Sequence, residues 1–177
     1  MIKYAITDPS FFNPFSPQPY FKNLDANFVL FRDKKSLDYK KNAQAFMQNA
    51  KEYPFKKILH QNYTLAKELQ ANGVHLTSTQ FNDILAAKSL GLFTIISTHS
   101  LKEVLKAQTL GADAVTFSPI FDTPNKGEPK GIKELAKVVQ NSQIKVIALG
   151  GIITKEHITL LQEANPWGFA SIRYFAK

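Results

Sequence analysis

Eight short runs of β-branched and aromatic residues recur along this chain, each separated from the next by a stretch of helical or irregular pattern. The runs fall near residues 2–7, 27–32, 57–60, 73–76, 93–97, 114–118, 145–149 and 167–172. Apolar residues at helical spacing occupy 36–52, 62–71, 79–89, 100–109, 131–140 and 154–163. Strands joined through helices pair in parallel, because the helical crossover returns the chain to the end where the previous strand began. Val146-Ile147-Ala148-Leu149 is apolar at every position, as a strand covered on both faces requires. An α/β fold follows, and eight such units predict a sheet closed on itself, the (β/α)8 TIM barrel.

The 177 residues are few for that architecture, which usually takes about 200 or more. Two segments account for the shortfall. Residues 9–24 carry Pro9, Pro14, Pro17 and Pro19, a density that opposes a regular helix. Only Tyr174 to Lys177 follow the last run, too few for a closing helix. The sequence therefore predicts a single domain over 1–177, a shortened barrel whose first and last outer helices are missing or irregular. Those helices are neighbours, so one wall is bared. Phe11, Phe12, Phe15, Tyr20 and Phe21 are candidates to cover it, and a second copy of the chain in a homodimer is the alternative. Ser36, Ser78-Thr79, Ser100 and Thr154 are expected helix caps, with Ser100-Leu101-Lys102-Glu103 in capping-box form. Gly73, Gly91 and Gly111 are expected helix stops.

Composition narrows the chemistry. The absence of cysteine excludes thiolate catalysis, disulfides and Cys-based metal sites. It fits a cytoplasmic protein, as does a first segment that lacks signal-peptide form. No apolar run is long enough to cross a bilayer, so no membrane partner is expected. Net charge is +8, yet only two of the 22 basic residues are arginines and no basic block or aromatic RNA motif accompanies them. No nucleic-acid partner is expected; an anionic small molecule would profit from the same field.

In such a barrel the chemistry sits where strands end. Gly150-Gly151 leads into a helix start, a pattern suited to phosphate, and Arg173 arrives from the last strand as its charged partner. Arg32, with Lys34 beyond it, ends the second run, and Ser97 ends the fifth. Thr123, Asn125 and Lys126 offer hydroxyl, amide and ammonium groups on the loop after the sixth run. Each arginine also has a plain structural use, an ion pair with a carboxylate. His60 and His99 at strand ends are the acid–base candidates. His75, inside a strand, reads as a hydrogen-bonded interior residue, and His157 as a helix-surface one. No HExxH and no carboxylate cluster is present, so no dedicated metal site is predicted.

Tyr4-Ala5-Ile6-Thr7-Asp8, Phe31-Arg32-Asp33-Lys34, Gly73-Val74-His75-Leu76, Ser97-Thr98-His99-Ser100, the run Gly111 to Thr123 and Ile147-Ala148-Leu149-Gly150-Gly151-Ile152 together resemble the thiamin-phosphate synthase/TenI superfamily. The resemblance implies a (β/α)8 barrel and a small phosphorylated thiazole or thiamin-related ligand. The synthase branch joins a pyrimidine diphosphate to thiazole phosphate and expels diphosphate with the help of Mg²⁺. By that likeness Arg32 and Lys34 match its pyrimidine-side basic residues. Thr123, Asn125 and Lys126 match its diphosphate loop, with Asn125 in place of a second hydroxyl, and Gly150 and Gly151 match its thiazole-phosphate turn.

The departures bear on the reaction. The synthase's Asn-Asp after the third strand reads His60-Gln61 here, and its second metal-binding aspartate is Gln80. Two charges for Mg²⁺ are thereby removed. The TenI branch includes thiazole tautomerases, which need no metal, but their histidine in the sixth-strand turn corresponds to Pro119. The expected function is a TenI-like protein acting on or binding thiazole phosphate as a tautomerase. His60 or His99 would move the proton, with no tightly bound cofactor. The alternatives are a thiamin-phosphate synthase, with Mg²⁺ as its cofactor, and a non-catalytic binder of thiazole or thiamin phosphate.

Overall fold

Parallel hydrogen bonding joins β1 (Ile2–Ile6), β2 (Phe28–Phe31), β3 (Lys56–His60), β4 (Gly73–Leu76), β5 (Phe93–Thr98), β6 (Ala114–Phe117), β7 (Lys145–Leu149) and β8 (Gly168–Ser171) in sequence order. The barrel closes where Tyr4 of β1 stands in register with Ala170 of β8. The structure, a computed structural model, describes residues 1–176. The helices are α1 (Gln18–Phe21), α2 (Tyr39–Asn49), α3 (Tyr63–Glu68), α4 (Ile84–Ser89), α5 (Leu101–Thr109), α6 (Gly131–Gln140) and α7 (Lys155–Gln162), with a 3-10 turn at Phe81–Asp83 before α4. Among the described residues no helix is long and apolar enough to cross a membrane.

Strand alternation sorts side chains into two shells. Tyr4, Ile6, Phe28, Leu30, Ile58, Ile95, Ala114, Ile147 and Ala170 fill the barrel. Their neighbours Ala5, Val29, Phe31, Leu59, Ile96, Val115, Phe117, Ala148 and Phe169 face the helices. Two covered faces are the reason the strands read as apolar throughout. Polar side chains in the inner shell are satisfied by one another. His75 Nδ1 lies 3.0 Å from Tyr4 Oη and His75 Nε2 lies 3.1 Å from Ser97 Oγ.

The two expected gaps in the outer ring are present. α1 is one short turn opened by Pro17 and Pro19, and among the described residues β8 is followed only by a turn. The bared wall is covered by the chain itself. Phe12 and Phe21 are buried, with Phe12 6.3 Å from Phe31 and Phe21 6.1 Å from Phe46, ring centre to ring centre. Tyr174 meets Phe169 edge to face at 5.4 Å and Phe175 stacks on it at 5.9 Å. Phe11 and Phe15 take no part in that cover: each is more than half exposed, at 53% and 54%.

Ser100 and Thr154 cap α5 and α7 as the sequence predicts, accepting from the Glu103 and His157 N–H groups. Elsewhere local signals are displaced. Asp38, not Ser36, caps α2 by accepting from the Lys41 N–H, while the Ser36 hydroxyl accepts from the Asp38 N–H. Neither Ser78 nor Thr79 caps the next segment; Gln80 begins the 3-10 turn and its Oε1 accepts from the Thr77 N–H. Gly91 and Gly111 end helices at φ +77° and +83°. Gly73 does not: it lies within β4, where a Cβ would stand 2.2 Å from the Phe93 carbonyl oxygen, and Gln70 (φ +56°) makes the helix-ending turn.

Candidate active site at the barrel mouth

Two adjoining cavities, of about 280 and 270 Å³, open at the C-terminal ends of the strands. Thr123, Leu149, Gly150 and Ile172 line both. The first cavity is walled by Asp8, Phe11, Gly150, Gly151, Ile152, Ile153, Ser171 and Arg173. Its floor is built by two glycines that no other residue can replace without strain. Gly150 (φ +102°) would place a Cβ 2.8 Å from Pro119 Cα, and Gly151 (φ +68°) would place one 2.5 Å from the Asp122 carbonyl oxygen. The loop after β6 therefore lies directly on the turn after β7. The Ile120 N–H donates to Leu149 O and the Phe121 N–H to Gly150 O, each at 3.0 Å. Ser171 Oγ donates to Ile152 O at 2.6 Å and ties β8 to the same turn. Gly150-Gly151 and Arg173, far apart in sequence, thus face one space beside the start of α7.

The second cavity gathers Arg32, Lys34, His60, His75, Thr77, Ser97, His99, Ser118, Pro119 and Lys126. Strand alternation explains the set: Leu30 and Arg32, His75 and Thr77, and Ile95 and Ser97 are each two residues apart, so their side chains leave one barrel face. Arg32 is half-buried and its Nη1 stands 3.8 Å from Asp8 Oδ2, so it makes the ion pair a structural role would require while still lining the cavity. Thr7 holds the strand ends together by accepting from the Arg32 N–H at 2.9 Å.

The mouth is strongly cationic. Arg32, then burial, then Lys126 hold the Lys34 ammonium below its ordinary pKa. Burial pushes His60 down to about 4, with help from Arg32 and Lys34. Burial also pushes His75 down to about 3, with His60 and Arg32 adding to it. Both imidazoles are neutral at physiological pH. His99, at the exposed rim, donates from Nδ1 to the Ser118 carbonyl oxygen at 3.0 Å, which orients the ring at the cavity edge.

Most of the expected site residues therefore reach the mouth: Arg32, Lys34, His60, Ser97, His99, Thr123, Lys126, Gly150, Gly151 and Arg173 line one cavity or the other. Asn125 lines neither. Its backbone at φ +62° follows Pro124, and the Lys126 N–H donates to Thr123 O at 3.2 Å, so Asn125 serves the turn that presents Lys126. His157 stacks on Phe121 at 4.4 Å between ring centres and is half-buried, not a free surface residue. Sequence reasoning missed Thr77, Ser78, Phe11 and His75 as mouth residues; the parity of β4 was the available signal for His75 and Thr77.

The residues at the family's metal positions do not fit Mg²⁺. Gln61 and Gln80 are neutral amides. Gln80 spends both ends internally: Oε1 accepts from Thr77 and Nε2 donates to Asp83 Oδ2 at 2.9 Å and Gln61 O at 3.3 Å. Among the described residues no group of three or more His, Asp or Glu side chains could hold a metal. A hard dication needs carboxylate oxygens, and these two positions offer neutral amides, that of Gln80 already engaged.

The fold and its mouth define a (β/α)8-barrel protein with a basic cavity at the C-terminal ends of its strands. The chain belongs to the thiamine monophosphate synthase family, whose profile matches residues 4–175. It is 32% identical over 147 residues to "Putative thiamine-phosphate synthase 2" of Aquifex aeolicus (strain VF5), covering 81% of this chain and 78% of that protein. It is 36% identical over 124 residues to the thiamine-phosphate synthase of Latilactobacillus sakei subsp. sakei (strain 23K), covering 67% of this chain and 54% of that one. Among solved structures, thiamine phosphate pyrophosphorylase from Pyrococcus furiosus superposes with a TM-score of 0.81 at 25% identity, over 97% of this chain and 85% of that one.

Proposed function

We propose that this protein is a thiamin-phosphate synthase, which joins a pyrimidine diphosphate to thiazole phosphate and releases diphosphate. One observation supports the reading: two cavities adjoin at the mouth through Thr123 and Gly150, one lined by Arg173 and the other by Arg32, Lys34 and Lys126, which we read as two anion stations. A one-substrate tautomerase needs one station; a reaction between two phosphorylated partners needs both. In this reading the thiazole phosphate lies on Gly150-Gly151 beside Arg173, and the diphosphate lies among Arg32, Lys34 and Lys126. Ser97, Thr77 and the neutral His60 face the heterocycles. When the pyrimidine's bond to its diphosphate breaks, the electron pair leaves on the diphosphate while the pyrimidine joins the thiazole. The three cations stabilise that developing charge. The names of the relatives point the same way. The test is to supply both substrates and measure thiamin phosphate and released diphosphate. No product with or without Mg²⁺ would defeat the reading.

His60 and His99 on the same cavity favour a second reading, proton transfer on bound thiazole phosphate. Conversion of the thiazole tautomer with no pyrimidine present, lost in His60→Ala or His99→Ala, would establish it. Thermal stabilisation by thiazole phosphate with neither turnover would mark a binder instead.

A further inference from the structure

Three cations converge on one cavity at the barrel mouth: Arg32 from the end of β2, Lys34 from the loop behind it, and Lys126 from the loop after β6. Among the described residues one carboxylate pairs with them. Asp8 stands 3.8 Å from Arg32, and among the described residues neither Lys34 nor Lys126 has an ion pair. Asp33, the nearest acid in sequence, is turned away into its own loop, accepting from the Lys35 and Ser36 N–H groups and from Asn42. The ammonium groups crowd each other enough that Arg32 and Lys126 both hold Lys34 below its ordinary pKa. Such unpaired charge is held at a cost, and an anion seated among it removes that cost. At the metal positions stand two neutral side chains, Gln61 and Gln80, and the Gln80 amide nitrogen donates to the Gln61 backbone carbonyl and to Asp83 Oδ2.

We propose that this chain binds a diphosphate group directly on Arg32, Lys34 and Lys126, with no divalent cation between protein and anion. The proposal rests on the synthase reading for the identity of the anion. The metal's usual work, neutralising the oxygens of the diphosphate, passes to side chains. Lysine suits this as a mobile point charge with three donors, and arginine as a fixed fork.

The experiment is calorimetric titration of the full chain with inorganic pyrophosphate, in metal-stripped buffer and again with millimolar Mg²⁺. Binding is expected in the metal-stripped buffer, and Mg²⁺ should leave it unchanged or weaken it, because the magnesium complex presents less charge. Lys34→Ala and Lys126→Ala, both at exposed positions, should each weaken it about tenfold or more while the melting temperature stays the same. Gln61→Asp with Gln80→Asp should make binding respond favourably to Mg²⁺. Pyrophosphate binding only when Mg²⁺ is present, or binding indifferent to both lysines, overturns the proposal, as does no binding in either buffer. The two failures are separable. Metal-free pyrophosphate binding without thiamin phosphate formation sinks the synthase reading alone. Product formation with Mg²⁺-dependent pyrophosphate binding sinks this proposal alone.

Discussion

Gly150 and Pro119 touch where β7 and β6 end: a Cβ on Gly150 would stand 2.8 Å from the Pro119 Cα and 2.9 Å from its Cβ. The proline at the position of the tautomerase histidine is thus a wall of the glycine cradle. Gly150→Ala meets that wall and a φ of +102° that side chains avoid. It should destabilise the fold by about 1–3 kcal/mol and abolish thiazole phosphate binding. Thermal unfolding with and without the ligand checks both. An alanine variant that binds as well as the parent would show that the cradle does not hold the phosphate.

Arg173 is exposed in the turn after β8 and lines the first cavity. Its removal should leave the fold intact. A charge-assisted hydrogen bond contributes about 1.5–3 kcal/mol, so Arg173→Ala should weaken thiazole phosphate about 10- to 100-fold. The same substitution should leave pyrophosphate affinity nearly unchanged, because Arg173 stands at the other station. Titration with each ligand separates the two.

Stability should fall on mild acidification. His60 and His75 titrate near about 4 and 3 in the folded protein, against an ordinary value of 6.5. Between those values and 6.5 the unfolded chain binds more protons than the folded one, so stability rises with pH across that window. It is lost as pH falls from about 6.5, and the histidine contribution levels off near pH 3. Denaturant midpoints at pH 7 and pH 4.5 should show the drop. His60→Gln, which removes one of the two groups, should make it shallower.

Phe12 should matter to the fold out of proportion to its place in an irregular loop. It meets Phe21, Phe31 and Phe46 at 5.5, 6.3 and 6.1 Å and closes the wall left by the short α1. Phe12→Ala should cost about 3–5 kcal/mol. Phe11→Ala, one residue away but exposed, should cost little, and the contrast in melting temperature checks the assignment.

Much of this protein is written in local pattern. Eight apolar runs alternating with helical spacing specify a closed parallel barrel, because strands buried on both faces have no polar side to show. The prolines of residues 9–24 foretell the short, irregular first helix, since proline removes backbone donors regardless of context. The double glycine, the two arginines and the strand-end histidines marked the mouth, because strand ends on one rim must be neighbours.

Tertiary contact decided the rest. Which side chain caps α2 depends on how the Asp33 loop folds, and that placed Asp38 where Ser36 was expected. Gly73 is small because Phe93 of the next strand passes over it, a contact absent from its own neighbourhood in sequence. The turn at Asn125 points Lys126 inward and leaves Asn125 outside. The depressed His60 and His75 arise from burial beside charges brought in from other strands. Periodicity acts between near neighbours and is legible residue by residue; electrostatics and close packing act through space, and only the closed barrel supplies those distances.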